Sequence, residues 1–288
     1  MTPLDAILDP LAYPFFVRAL AAATIVGLVC AVVGSYMVLR GLAFMGDALS
    51  HAAFPGVVAA YMLGAPFYLG AAIAAVGTAL AIAWVSRHGR LRSDTAIGVL
   101  FAGMFALGIF LFSRIPNYVG DLFGFLFGEV LGISDGDLIA LAVLALVVLV
   151  LVVALWKELL YSTFDPLGAA AAGLPVARLE YLFLALIALT IVISLQAVGI
   201  ILVVAMLITP AATGQLLASS FRRLMAIAIV IGVTSPIVGL YLSYWLDAAA
   251  GATIVLMETL VFGVVLAGRT VATRRPNGST RLPAEPAA

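Results

Sequence analysis

The 288-residue chain contains one cysteine, one lysine and two histidines, and only 10% of it is charged. Each scarcity excludes something. The lone cysteine, Cys30, leaves no disulfide framework and no thiolate metal cluster. The lone lysine, Lys157 in "LWKELL", leaves no Walker A loop, which needs a glycine-rich approach to Gly-Lys-Ser/Thr. The chain therefore has no ATP-binding motif of its own, and any ATP-driven work must come from a partner. His51 and His88, far apart in sequence, do not make a His-Glu-x-x-His helix, which counts against an intramembrane metalloenzyme. A soluble domain carries about 25% charged residues, so this chain has too little polar surface to face water. Its net charge is zero, and no nucleic acid is expected among its partners.

What is abundant is apolar: 65% of residues are hydrophobic and the mean hydropathy is +1.25. Stretches such as "LAVLALVVLVLVVALW" lack period-2 alternation, so the chain reads as an all-α polytopic membrane protein and not a barrel. Apolar runs at 15–39, 48–63, 66–86, 95–112, 137–156, 175–197, 198–220, 223–245 and 252–268 give about nine passes. Only "QAVG" divides the sixth from the seventh, so eight passes is the alternative. The second run is short beside the roughly 20 residues a spanning helix needs. The first is too long for a signal-peptide core and lacks a basic flank, so no cleavable signal is expected. Residues 1–268 read as one transmembrane domain, and the polar, proline-rich 269–288 as a disordered cytoplasmic tail.

The basic residues set the orientation. Arg40, Arg87, Arg90, Arg92, Lys157, Arg178, Arg222, Arg223, Arg269, Arg274, Arg275 and Arg281 fall on one set of alternate loops, against Arg18 and Arg114 on the other. This places the C-terminus in the cytoplasm and, with nine passes, the N-terminus outside. The outer loops collect Asp5, Asp9, Asp121, Glu129, Asp135, Asp137 and Asp247, which suits a cation or a basic docking partner as well as a solvated rim. Two segments lie between passes. Residues 113–136 contain "DLFGFLFGEVLG", expected as a short re-entrant or interfacial helix outside. Residues 157–174, "KELLYSTFDPLGAAAAGL", are expected to hold a short cytoplasmic helix. Ser162 or Asp165 would cap it, Pro166 would open it and Gly173 would stop it.

The segment with chemistry is "GLAFMGDALSHAAFPG", residues 41–56. On a helix Asp47 and His51 share a face one turn apart, and Pro55 removes the N–H that the His51 carbonyl would use. A carboxylate, an imidazole and a freed carbonyl then converge as donors for zinc, manganese or iron. The same residues also fit two plainer readings, a self-satisfied Asp–His hydrogen bond or a helix start capped by Asp47. Ionisable groups inside a membrane are expensive and usually functional. Arg40 stands only seven residues before Asp47, so a site in mid-membrane requires 41–47 to rise into the protein in a tight turn.

Arg40 followed by this segment closely resembles the permease subunit of bacterial high-affinity zinc/manganese ABC importers. The likeness continues in "SDTAIGVLFAGMFALGIFL" (93–111), "YVGDLFGFLFGEVLGISDGDL" (118–138), "FDPLGAAAAGL" (164–174), "VGIILVVAMLITPAATGQLL" (198–217) and "GLYLSYWLDAAAGATIVL" (239–256). It departs at Gly214, where alanine is usual, and at Ala250, where proline is common. The resemblance implies a type II ABC importer architecture in the bacterial inner membrane, with two permease subunits around a central path. It also implies a separate cytoplasmic ATP-binding subunit and a metal-binding protein docking outside. Asp47 and His51 match the pair lining the metal path, and Asp165, Pro166, Ala169 and Gly173 match the segment that couples to the ATP-binding subunit. The implied function is import of a divalent ion (zinc, manganese or iron) without a permanently bound cofactor, with ATP on the partner. A permease for a chelate such as a siderophore or cobalamin is the alternative.

Three other ionisable positions read as secondary. Glu258, mid-run in the last pass, is expected to be structural and hydrogen-bonded to another helix. Glu129 reads as an outer rim residue, and His88, among arginines, as solvated. Pro210 and Pro236 are expected to kink their passes, and Gly98, Gly103 and Gly108 to form a close-packing stripe. The orientation is directly testable. Cysteines introduced as Ser86→Cys and Ser279→Cys are expected to react with an impermeant maleimide only from the cytoplasm, and Asp135→Cys only from outside. Labelling of the Ser86→Cys protein from outside would invert the topology.

Overall fold

The computed structural model describes residues 8–89, 92–115 and 130–273. Among these residues there are helices and no strands. We number them α1 (Pro14–Leu39), α2 (Ala43–Ala52), α3 (Phe54–Leu63), α4 (Phe67–His88), α5 (Ser93–Phe112), α6 (Asp135–Ala154), α7 (Trp156–Phe164), α8 (Pro166–Ala171), α9 (Val176–Val198), α10 (Ile200–Leu217), α11 (Phe221–Leu246) and α12 (Ala250–Thr273). Eight are long and apolar enough to cross a membrane. The outer segment 116–129, with Glu129, lies outside the described residues, as does the tail beyond Thr273. α12 itself runs five residues past the expected domain edge at 268.

The ninth pass is built from two short helices. α2 and α3 have ten residues each and meet at Ala53, which itself keeps right-handed helical angles. The pass begins at Ala43, five residues before the expected 48. It starts beside Arg40 at one end of the bundle and finishes at Gly64, next to the ring pair Tyr61–Phe67 at the other. The sixth and seventh passes are also separate. Gly199 has φ 81° and ψ 166°, a backbone region essentially restricted to glycine, and there the chain turns back on itself between α9 and α10. Val198 and Ile200 on either side are buried, so the tip of this hairpin lies inside the protein.

The two sets of loops gather at opposite ends. At the basic end Arg40 bonds Ser162 and Thr163, Arg87 pairs with Glu180 at 2.6 Å, and Arg269 reaches the Leu216 carbonyl. At the acidic end Arg18 meets Asp135 at 3.4 Å, Tyr68 donates to Asp137 at 2.9 Å, and Tyr13 lies against Tyr244. The charge bias assigns the basic end to the cytoplasm.

α1 is the central helix. In its most apolar stretch 61% of residues are buried, against 17% for α5, and it packs on α10, α11 and α6. In lipid there is no water to squeeze out between helices, so close van der Waals contact decides such packing. A Cβ on Gly27 would run into the Gly232 carbonyl oxygen of α11, and one on Gly34 into that of Leu207 on α10. Gly56 of α3 and Gly70 of α4 form a reciprocal pair of the same kind. The expected stripe on α5 is different: a Cβ at Gly98 or Gly103 meets nothing within 4 Å, and only Gly108 abuts the Phe54 ring and the Pro55 backbone. Sequence spacing alone does not distinguish a glycine in a contact from one facing outward.

Gly27→Val is therefore expected to push α1 and α11 apart, costing about 1–3 kcal/mol and lowering the melting temperature in detergent. Gly103→Val, facing open space, is expected to leave it unchanged. Equal melting temperatures for the two variants would remove this account of the packing.

Candidate metal path and coupling face

The segment that carries Asp47 and His51 is positioned by a turn at the end of α1. Gly41 has φ 68°. The Leu42 N–H bonds the Met37 carbonyl at 3.0 Å and the Gly41 N–H bonds that of Val38 at 3.1 Å. This is a Schellman motif: a left-handed glycine lets the chain reverse while the last carbonyls of the helix stay bonded. α2 starts two residues later, so the tight turn expected between 41 and 47 is complete by Leu42 and the remainder is helix. Asp47 and His51 stand four and eight residues into α2, about 6 and 12 Å along it. The stretch from Ala43 to Leu63 is about 30 Å long, so Asp47 lies nearer its basic end and His51 nearer its middle.

His51 Nε2 lies 3.7 Å from Asp47 Oδ1. That is too long for a hydrogen bond, so the pair does not satisfy itself. Two donors each about 2.1 Å from one ion are at most about 4.2 Å apart, so the 3.7 Å separation is within the span that a shared cation allows. The imidazole stands edge-on to Phe101 and Phe105 of α5, at ring distances of 5.6 and 5.3 Å, which fixes its plane. Side-chain exposure is 41% for Asp47 and 25% for His51, so both remain open. Asp47 is not a helix cap. The N-cap of α2 is Leu42, and Ser50 donates back to the Gly46 carbonyl at 2.8 Å.

The Ala53 N–H bonds the Leu49 carbonyl at 3.1 Å, and Pro55 sits in the first turn of α3, where a missing N–H costs nothing. No group of three or more His, Cys, Asp or Glu residues able to hold a metal occurs among the described residues. Glu258 is fully buried in α12, and neither carboxylate oxygen has a hydrogen-bond partner among the described residues. The expected bond to another helix is thus missing. On α1 the Cys30 thiol is 3.7 Å from the Ser194 hydroxyl of α9. His88, the last residue of α4, is exposed at the basic end, stacked on Trp84 and bonded to its carbonyl.

The cytoplasmic segment is two helices, α7 and α8, joined at Asp165. Each residue singled out in it has a distinct structural role. Asp165 caps α8 by accepting from the Gly168 N–H at 2.8 Å, and Pro166 opens the helix. Ala169 is fully buried against the bundle. Gly173, at φ 85°, ends the helix in a second Schellman motif, with 3.0 Å bonds from Gly173 to Ala170 and from Leu174 to Ala169. Ser162 does not cap. It donates to the Leu159 carbonyl instead. Leu167, which sequence reading passed over, is 85% exposed on this helix, beside the exposed Phe164. Its signal was an apolar residue right after a helix-opening proline.

The chain is 47% identical over 254 residues to the manganese transport system membrane protein MntC of Halalkalibacterium halodurans, covering 88% of this chain and 87% of that one. It is 43% identical over 259 residues to the chelated iron transport system membrane protein YfeC of Yersinia pestis, covering 90% of this chain and 88% of that one. Among solved structures, PsaBC from Streptococcus pneumoniae in complex with Fab superposes with a TM-score of 0.81 at 37% identity, over 91% of this chain and 95% of that one. The model of the ABC 3 transport family matches residues 12–269, and the chain belongs to that family.

Proposed function

We propose that this multi-pass membrane protein is the permease subunit of an ATP-driven divalent metal importer and forms the path through which the ion crosses. The observation that carries the reading is the Asp47–His51 pair, 3.7 Å apart, open to one side and held by a helix that has just entered the bundle. The names of the relatives support manganese or iron as the ion, and zinc accepts the same donors. Only a neutral imidazole offers a lone pair, so His51 binds unprotonated. Two protein donors leave the ion partly hydrated, or completed by a second copy of the chain across the face that α5 leaves uncovered. No cofactor is held permanently. A metal-chelate permease needs width and not a paired carboxylate and imidazole, and nothing in this geometry favours it.

The rest of the assembly follows from the two ends. A separate cytoplasmic ATP-binding subunit docks on α8, with Leu167 as the apolar contact, and an extracytoplasmic metal-binding protein docks at the end carrying Asp9, Asp135, Asp137 and Asp247.

Two experiments test this. In proteoliposomes carrying the chain and its ATP-binding subunit, Asp47→Asn and His51→Ala are each expected to lower manganese uptake by at least about tenfold, the scale of a lost charged interaction. Glu258→Gln is expected to be far milder. Normal uptake by either Asp47→Asn or His51→Ala removes the pair from the path.

For the coupling face, Leu167→Asp is expected to weaken co-purification of the ATP-binding subunit. Asp165→Lys, which removes a cap worth about 1 kcal/mol and reverses its charge, is expected to lower the metal carried per ATP hydrolysed. Undiminished assembly and coupling in both variants would detach α8 from this role.

A further inference from the structure

Arg40 sits where the metal-carrying helix and the cytoplasmic segment come together. It is the C-cap residue of α1, immediately before the Gly41 turn that launches α2. Its Nε donates to the Thr163 hydroxyl at 2.9 Å, and one terminal nitrogen donates to the Ser162 hydroxyl at 3.1 Å and the Leu159 carbonyl at 3.3 Å. The guanidinium lies over the Phe183 ring of α9, 4.3 Å from its centre. One half-buried side chain thus joins α1, α7 and α9.

The connections on either side are short. Thr163 is two residues from Asp165, the cap of α8, and Arg40 is seven residues from Asp47. Arg40 therefore links the segment proposed to meet the ATP-binding subunit to the helix proposed to hold the ion. A cavity of about 540 Å³ at the same place is lined by Arg40, Met45, Ser86, Thr163, Pro166 and Glu180. Met45 of α2 and Pro166 of α8 both face this cavity. The planar fork of arginine engages two hydroxyls and a ring at once, which a lysine ammonium on a flexible stem does not reproduce.

We propose that Arg40 is a positioning residue: a strut that transmits movement of α7 and α8 to α2 and so sets the placement of Asp47 and His51 by the state of the ATP-binding subunit. This rests on the reading of α8 and of the Asp47–His51 pair given above. A side chain that merely held the fold would change the amount of assembled complex, and with it uptake and hydrolysis together. A strut changes their ratio.

The test uses the complete permease–ATPase complex in proteoliposomes, with manganese as the probe. Arg40→Lys is expected to assemble and hydrolyse ATP while manganese carried per ATP falls by about tenfold or more, the scale of losing hydrogen bonds from a charged group. Ser162→Ala combined with Thr163→Val, which leaves Arg40 in place, is expected to give a similar fall, and adding it to Arg40→Lys is expected to give little more. An unchanged manganese-to-ATP ratio in either case, or losses that multiply in the combined variant, overturns the strut. If the Arg40→Lys complex fails to assemble, the hydroxyl variant decides alone. Asp47→Asn measured in parallel separates the two ideas. Its loss of uptake with unchanged coupling in the hydroxyl variant rejects only the strut, and its normal uptake rejects the metal pair itself.

Discussion

An N–H or C=O left without a partner in hydrocarbon costs several kcal/mol, so a membrane chain turns only where the backbone satisfies itself or is covered by protein. This constraint governs every bend seen here. The reversal after α1 keeps its carbonyls bonded through Gly41 and Leu42. The break between α2 and α3 is absorbed by Ala53, which still bonds the Leu49 carbonyl, while Pro55 occupies a first turn that needs no donor. The α9–α10 turn uses a glycine and is buried. Hydroxyls obey the same rule: Ser35, Ser50, Thr190 and Thr213 each return their proton to the carbonyl four residues back.

The candidate site follows from where these turns are permitted. Because α1 ends in a compact turn, α2 begins at the basic surface and carries Asp47 into the protein after a single helical turn. The pair is exposed enough to meet an ion and is backed by aromatic rings that hold the imidazole. Neither side chain spends its donors on the other. A helix running straight from one surface to the next would bury the same residues against neighbours with little freedom to shift. Dividing the pass at Ala53 separates a short, polar-faced α2 from an α3 locked to α4 through Gly56 and Gly70.

Much of this was legible in the sequence because it is local. Apolar length gave the passes, charge bias gave their ends, and the cap residues Asp165, Pro166 and Gly173 gave α8 with its boundaries. The i, i+4 spacing of Asp47 and His51 brought them together as expected. What was not legible depends on contacts distant in sequence. The close-contact glycines include Gly27 and Gly34 on α1, Gly56 on α3, Gly70 on α4 and Gly214 on α10, with Gly108 alone on the expected α5 stripe, because what a glycine faces is decided by another helix and not by its own spacing. Arg40 read as an orientation marker, since its partners are more than a hundred residues away. The expected partner of Glu258 is missing among the described residues, and only the packed bundle could reveal that.

The candidate pair differs in make-up from a structural metal site. A resident structural zinc site typically closes its shell with four protein donors, and a side chain that supplies such a donor is usually held by its own hydrogen-bonded support. Here α2 offers one carboxylate and one imidazole, both partly exposed, and no cluster of three ligating residues occurs among the described residues. On the proposed reading, an ion at this pair would keep part of its water or take donors from a second subunit, and a small displacement of α2 would withdraw both side chains together. Carrying both proposed ligands on one short helix would make release a single movement. The residue proposed to govern that movement is Arg40, which stands three residues before α2 begins and bonds Leu159, Ser162 and Thr163 of α7.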